Sequence, residues 1–523
     1  MSEQLLYKPM NTNSGYPFWM AFPAVEEFAL SSLGYLWLFK IADTEKNINS
    51  ERICTDTQLT RISPKEVKSV AFSLSYDFDF LGVFKILEKN NIPFLSKDRT
   101  ENHPLIFAGG PVITTNPEPY KKIFDFMIIG DGEKIFKKVL DILKQNLPKK
   151  TTLEELSKLE GIYVPEITKK VKKISESLTD IIYTPIISDK AYFKDTFILE
   201  VSRGCTNMCK FCTASYTNLP YRGGNLKAIE ETIDLGLKYT KKIALLGAQV
   251  SAHPDFKQII NYIKTKMETE EIQVGISSLR ADTIDADIID FLVKGGQRTL
   301  TIAIEAASER LRKLINKNIN NEHIHKAIEF ARKGGLKGIK IYSMIGLPTE
   351  SDDDINAFIE LGKNLKNENK GFDIEFSFST FVPKPQTPFQ WEQREDTKSL
   401  EKKILYLEKE FSKLGIKSKF SSPKWDYWQT VLSRGGEELA DFLIEVYKQG
   451  GKIGGFKTAA KKLNLNLADY IDKTGSKEIS AKETSAEEIY PPNIYPQKNL
   501  PWDFVEMRPG KDFLINEIYH IRD

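Results

Sequence analysis

TFILEVSRGCTNMCKFC, residues Thr196 to Cys212, is the stretch whose reading decides the fold. It opens as an apolar strand, Phe197–Ser202, and runs straight into a loop carrying Cys205, Cys209 and Cys212 with the spacing Cys-x3-Cys-x2-Cys. Gly204 lets the backbone turn away from the strand, and Phe211 is placed to shield one side of whatever the thiols hold. Thiolates are preferred ligands of iron–sulfur clusters, and three of them bind three irons of a [4Fe–4S] cube, leaving the fourth iron open to a small molecule. A short loop suits this because it can wrap one face of the cube. Two other readings stand beside it, a zinc site and unligated surface thiols. Zinc wants a fourth protein ligand for a closed tetrahedral site, and Cys54 and the five histidines lie far off in sequence.

Downstream of the loop a strand–helix unit repeats. Candidate strands are Phe197–Ser202, Lys242–Gly247, Ile272–Leu279, Thr299–Glu305, Ile339–Ile345 and Ile374–Val382, with amphipathic helices such as Leu226–Tyr239, Glu322–Lys333 and Asp352–Leu365 between them. Parallel strands with right-handed helical crossovers curl into a barrel or partial barrel, so 196–390 is expected to be a partial (β/α)6 barrel with its site at the carboxyl ends of the strands. Upstream, about 16–147, the apolar runs Val67–Tyr76, His103–Gly110 and Asp125–Glu133 alternate with the helical stretches Phe78–Asn90 and Lys134–Gln145. That order predicts a doubly wound, Rossmann-like α/β domain. A Lys-rich connector, 148–195, joins the two. The last region, 391–523, reads as helical and mixed, with a helix at Lys398–Leu414, a Trp/Tyr-rich piece at Trp425–Trp428 and a polar linker at Ser476–Glu488.

Composition narrows the class. The 523 residues are 41% hydrophobic and 28% charged with a net charge of +2, which does not suggest extended contact with a polyanion. No apolar run approaches the ~20 residues needed to span a bilayer, and Met1–Asn13 lacks the layout of a secretory signal, so a cytoplasmic location without membrane contact is expected. Four cysteines, three of them within eight positions, cannot build a disulfide framework and point to metal or redox chemistry.

The three-cysteine loop after the first strand of a βα barrel, with an aromatic before the last Cys, resembles the radical S-adenosylmethionine (radical SAM) superfamily over Thr196 to about Pro383. The resemblance implies that the open iron chelates SAM through its amino and carboxylate groups. It implies further that an electron donor such as flavodoxin or ferredoxin drives reductive cleavage to a 5′-deoxyadenosyl radical, which abstracts a substrate hydrogen. In such families a glycine-rich turn after the second strand holds the SAM amino group. Here that place is taken by LLGAQVS, with Gly247 and Gln249, where Gly-Gly-Glu is common. TIAIEAASERLR resembles the fourth-strand segment and puts Glu305 where a carboxylate can bond the ribose or ammonium of SAM. A plain ion pair with Arg310 or Arg312 is the alternative. SSLRADT offers Arg280 to the SAM carboxylate, or to Asp282 or Asp285. KIYSMIGLPTES resembles the fifth-strand segment and puts Gly346 and Tyr342 near the adenine; a strand-to-helix turn capped by Thr349 or Ser351 would leave the same letters. In FVPKPQTPFQW, Lys384 and Gln386 are candidate contacts.

The N-terminal region resembles the cobalamin-binding domain that precedes many radical SAM barrels, through FALSSLGYLWLFKI, FSLSYDFDFLGVFKIL, LIFAGGPVITTNPEPY and DFMIIGDGEKIF. Cobalamin is therefore a third cofactor to test, beside the [4Fe–4S] cluster and SAM. The Asp-x-His-x-x-Gly motif that supplies a lower cobalt ligand is absent, and the region's histidine is His103. In GDGE, Asp131 and Glu133 would satisfy the helix dipole themselves and repel a phosphate. With Cys54 alone left over, an auxiliary cluster lacks ligands, which argues against sulfur insertion. The stretch KSKFSSPKWDYWQTVLSR, Lys417–Arg434, interleaves basic and aromatic residues and can be read as an RNA-stacking patch or, as helical spacing favours, as core plus a solvated face. Two functions of different class stay open: an enzyme modifying an unidentified small molecule or RNA by radical chemistry, with cobalamin-dependent methylation as one form, and a cluster-bearing binding or regulatory protein without turnover.

Overall fold

A computed structural model describes residues 3–11, 13–472 and 499–519. The expected polar linker Ser476–Glu488 lies outside the described residues.

Six strands form the N-terminal sheet, in the order Ile48–Cys54, Tyr16–Phe22, Ser69–Ser73, Leu105–Gly109, Phe126–Ile128 and Ile162–Tyr163. All neighbours are parallel except the last pair. In chain order this is 2-1-3-4-5 plus an edge strand, a doubly wound topology that reverses between Tyr16–Phe22 and Ser69–Ser73. Both faces are buried, as parallel strands require. On one face Phe18, Met20, Phe107 and Phe126 meet the helices Leu33–Asp43 and Glu133–Leu143. The stretch expected as a connector contributes the helix Lys149–Ser157 and the edge strand Ile162–Tyr163, a two-residue apolar pair buried against the sheet.

The barrel is partial and all-parallel. Thr196–Glu200, Lys242–Leu246 and Gln273–Ile276 pair in one sheet, and Thr299–Glu305, Gly338–Ile345, Asp373–Thr380 and Lys417–Phe420 in another. The bridge Leu279–Ile302 joins them. Lys417–Phe420 is a seventh strand, drawn from the region expected to be helical and mixed. Alternation explains the strands. In Gly338–Ile345, Ile339, Ile341 and Ile345 are buried under the helices, while Lys340, Tyr342 and Met344 face the partly open lumen. The partner strand repeats the pattern with Phe376 and Phe378 against Glu375 and Ser377, in the register Lys340–Glu375 and Tyr342–Ser377. Helix starts are fixed by local chemistry: Ser308 accepts from the Leu311 N–H, and Asn320/His323 and Ser351/Asp354 form capping boxes.

Helices of the C-terminal region do not stand apart. Trp428, Val431, Phe442 and Phe456 pack with Trp19, Val70 and Phe72 on the second face of the N-terminal sheet. Each such large apolar side chain stabilises by roughly 1.5–3 kcal/mol when fully buried. Trp425 and Trp428 contact Phe456 edge-on and tilted, so both indoles are engaged in packing. The segment 500–518 folds back, and Trp502, Leu514 and Ile518 close over Met208 and Tyr216 beside the cysteine loop. Among the described residues no helix is long and apolar enough to cross a membrane.

Candidate functional site

The cysteine loop leaves the strand Thr196–Glu200 through Gly204, whose φ is +88°. A Cβ there would sit 2.5 Å from the Asn218 carbonyl oxygen, so only glycine makes this turn. The loop is pinned along its length. The Asn316 amide donates to the carbonyls of Asn207 (3.2 Å) and Met208 (3.0 Å), and the Tyr216 hydroxyl to that of Met208 (2.8 Å). The Lys210 N–H donates to Ile315 O at 3.0 Å, and its ammonium to Ile518 O at 3.0 Å. Cys205 and Cys209 are buried and Cys212 half-buried, all three unpaired by disulfides. Burial pushes the Cys209 thiol up to about 12, with Cys212 and Glu305 adding to the rise and Lys317 and Arg280 opposing it. Burial likewise raises the Cys212 thiol. Binding a metal here must therefore displace protons. Among the described residues no group of three His, Cys, Asp or Glu side chains is placed to hold a single metal ion. Three thiols on one loop are the donor type that an iron–sulfur cluster takes. Cys54 belongs to the core of the N-terminal sheet.

Gly247, Gln249, Arg280, Glu305 and Gly346 fall at or just after the carboxyl ends of the barrel strands, and Tyr342 within one. Gly247 packs on Ser202, where a Cβ would lie 2.5 Å from its Oγ. Gln249 turns to the cysteine loop, its Oε1 accepting from the Asn207 amide with the Cys205 Sγ 3.6 Å away. Glu305 ends its strand at a register shift with φ +64°, a left-handed conformation that a glutamate rarely adopts. Its partner is neither Arg310 nor Arg312. Arg310 serves Asp354 and Arg312 the carbonyls of Ala306 and Ala307, while Glu305 Oε1 lies 3.0 Å from the Lys317 Nζ. Burial alone would lower Lys317; the Glu305 carboxylate and the Cys209 thiol outweigh it and raise it. Arg280 forks onto Asp282 at 3.0 and 2.8 Å, the local ion pair the sequence allowed, and reaches Asn318 O at 3.4 Å.

Gly346, with φ +77°, gives its N–H to Glu350 at 2.9 Å, and Glu350 is held by Lys403 at 2.7 Å, so the turn is fixed by an ion pair behind it. Tyr342 is exposed in the lumen with the Lys340 Nζ 4.9 Å from its ring centroid. Lys384 is spent elsewhere, whereas the side-chain Nε2 of Gln386 is buried without a hydrogen-bond partner. Lys384 pairs with Asp77 at 2.6 Å, where Gln429 and Ser433 also donate, and Gln386 is buried with its N–H on Gln390. Lys317 and Asn316 escaped sequence reasoning. The clue available was their place, directly after the fourth-strand segment in INKN.

A cavity of about 510 Å³ opens between the two sheets. Ser73, Gly109, Gly110 and Gly130, at the carboxyl ends of N-terminal strands, form one wall; Leu246 and the short helix Thr213–Thr217, which follows Cys212, form the other. Its position is the crevice where open α/β sheets bind ligands. Asp131 and Glu133, expected only to serve their helix, also meet Arg203 at 3.1 and 2.7 Å.

Comparison with known proteins adds a context. Residues 199–362 match the radical SAM superfamily, and residues 37–165 match the N-terminal region of radical SAM proteins. An uncharacterised protein of Methanocaldococcus jannaschii is 34% identical over 390 residues, 72% of this chain and 80% of that one. An uncharacterised methyltransferase of Pyrococcus horikoshii is 26% identical over 333 residues, 61% of this chain and 69% of that one. In three dimensions, the cobalamin-dependent SAM radical enzyme OxsB, with aqua-cobalamin and SAM bound, superposes with a TM-score of 0.54 at 12% identity. That match spans 87% of this chain and 71% of OxsB and speaks for the fold.

Proposed function

Because the chain belongs to the radical SAM superfamily and is an enzyme of that type, we propose that Cys205, Cys209 and Cys212 hold a [4Fe–4S] cluster at which SAM is reductively cleaved. The observation that carries this reading is one loop with three thiols, pinned on both sides at the barrel mouth and faced by Lys317, Arg280 and Glu305. Held by Cys205, Cys209 and Cys212, such a cluster would supply the electron for reductive cleavage of SAM, the chemistry that starts hydrogen abstraction from a substrate.

The chain's own residues bind and orient. Lys317 and Arg280 are cations whose charge is felt at Cys209, placed to receive the SAM carboxylate, while Glu305 accepts from its ammonium or ribose. Gln249 ties the second-strand turn to the loop, and Gly247 keeps that turn tight against Ser202. Tyr342 offers a ring face in the lumen and Gly346 a close turn above it for the adenine. Met208, Trp502 and Ile518 cover the loop from behind and exclude water. The division of labour follows the chain: 16–147 a ligand-binding α/β unit, 148–195 the connection, 196–390 the catalytic barrel, and, within 391–523, the described residues 391–472 and 499–519 the packing that holds both.

Cobalamin fits the N-terminal cavity in one respect and constrains it in another. Glycines at the strand ends let a flat ring approach the backbone, and a Cβ at Gly110 would meet the Leu74 carbonyl oxygen at 2.4 Å. Among the described residues no histidine lines the cavity, so none of the described imidazoles is offered to cobalt there. Bound there, cobalamin supplies a carrier for a methyl group between SAM and substrate. Methylation of an unidentified small molecule or RNA in the reducing cytoplasm, with a flavodoxin or ferredoxin as donor, is the form of the reaction this favours. Anaerobic incubation with SAM and dithionite, with and without cobalamin, tests it by chromatography. 5′-Deoxyadenosine is expected in both cases and S-adenosylhomocysteine only with cobalamin. An intact cluster that releases neither would favour a binding protein without turnover.

A further inference from the structure

We propose that Arg203 is a positioning residue that locks the cysteine loop to the N-terminal sheet, so that the helix Thr213–Thr217 keeps a fixed place on the wall of the 510 Å³ cavity. The proposal rests on the reading that the loop holds a cluster. Arg203 stands two residues before Cys205, and its guanidinium is shared by three carboxylates from two parts of the chain. Nε and Nη2 donate to Glu200 at 2.9 and 2.7 Å, Nη2 also to Glu133 at 2.7 Å, and Nη1 lies 3.1 Å from Asp131. The second oxygen of Asp131 takes Arg222, and Arg222 is the antiparallel backbone partner of Arg203. Arg203 is 13% exposed and Asp131 8%, so these contacts are shielded from solvent.

Both ends of this bridge are stiff. Gly130, just before Asp131, has φ +108°, and a Cβ there would meet the Ile174 carbonyl oxygen at 2.2 Å. Gly204 is equally confined on the other side. A planar, five-donor guanidinium between two rigid turns fixes their separation in a way that a flexible ammonium does not. The charges also balance. Arg203, Arg222 and Lys173 face Asp131, Glu133 and Glu200, so the network needs no ligand charge and is not itself an ion site. Asp131, Glu133, Glu200 and Arg203 all line the cavity. The cluster loop and whatever occupies the cavity are thus registered against each other through Arg203, with Arg222 beside it on Asp131.

The test compares wild type, Arg203→Met, Arg203→Lys and Asp77→Asn, each reconstituted anaerobically. Asp77→Asn weakens a different junction of the N-terminal unit, the one with Lys384, and leaves the cysteine loop alone. The readouts are iron content, the electron paramagnetic resonance spectrum of the reduced protein with and without SAM, and kcat and KM for 5′-deoxyadenosine formation. Arg203→Met is expected to keep its iron and a KM for SAM near wild type, while the SAM-bound spectrum splits into more than one species and kcat falls about tenfold. Arg203→Lys should recover to within about threefold, and Asp77→Asn should match wild type. Arg203→Met indistinguishable from wild type, or Asp77→Asn showing the same loss, overturns the proposal. Should Arg203→Met hold no iron, Glu133→Ala carries the test: it removes a single contact from outside the loop, and a wild-type spectrum and kcat in that variant overturn the proposal equally. Wild-type protein that assembles no cluster would instead sink the reading of the loop.

Discussion

Lys317→Met puts the barrel mouth under the sharpest test. The Nζ lies 3.0 Å from Glu305 Oε1, with the two side chains 9% and 13% exposed. At an effective dielectric near 20 the attraction across that distance is about 5 kcal/mol, much of it offset by desolvation of both groups. Removing the cation leaves the buried carboxylate uncompensated, for which a loss of about 3 kcal/mol is expected. Because Glu305 already carries a left-handed backbone, the mouth has little slack with which to solvate it. Glu305→Gln in the Lys317→Met background removes that charge, so the double variant should regain about 2 kcal/mol. Lys317 is raised from its ordinary 10.5, so its contribution is complete below that value and lost only as the pH climbs through the raised one; the deficit of Lys317→Met should be constant across neutral pH. Urea unfolding of the iron-free chain, followed by circular dichroism, measures the cycle. A Lys317→Met loss under about 1 kcal/mol, or a double variant losing the sum of the two singles, would refute the reasoning.

Three further outcomes follow from the same coordinates. Cys205→Ala, Cys209→Ala and Cys212→Ala should each lose most of the iron bound by anaerobically reconstituted protein, whereas Cys54→Ala, altered in a separate core, should keep it; equal losses would remove the assignment. Asp79, pushed up to about 6 chiefly by burial against the hydrogen bonds from the Ser75 and Tyr76 N–H groups, contributes stability that is full below its ordinary 3.8 and lost as the pH rises through about 6. Asp79→Asn should therefore gain on wild type by about 2 kcal/mol between about pH 4 and about pH 7.5 in thermal or urea unfolding, and a pH-independent difference would contradict it. If protein made with ample cobalamin retains it, the cob(II)alamin spectrum should show no nitrogen splitting from a protein ligand. Among the described histidines, His253 is tied to Gly224 O, His325 to Glu368, His323 to its helix cap and His103 to Thr100, and a histidine-ligated cobalt would overturn the cavity assignment.

What the sequence disclosed followed from period and spacing. GIKIYSMI and DIEFSFST alternate so regularly that strand and buried face are both legible, and the cysteine loop announces itself by residue type alone. Lys417–Phe420 was hidden because its lysines face solvent and its helix-rich surroundings mask four residues of alternation. Ile162–Tyr163 is too short to carry a period at all. Lys317 resembles any surface lysine until the fold brings its ammonium back to Glu305, twelve residues earlier. Asp131 and Glu133 were read as helix-start acids because Arg203 and Arg222 lie 72 and 91 residues ahead of Asp131, and only the facing of the two sheets makes them neighbours.

Electron paramagnetic resonance of the reduced, anaerobically reconstituted protein decides whether one loop builds a cluster with an iron left open for SAM. About four irons per chain are expected, with a [4Fe–4S]+ signal whose shape changes when SAM is added, because SAM would become a ligand of the open iron. The same signal, unaltered at saturating SAM, would contradict it.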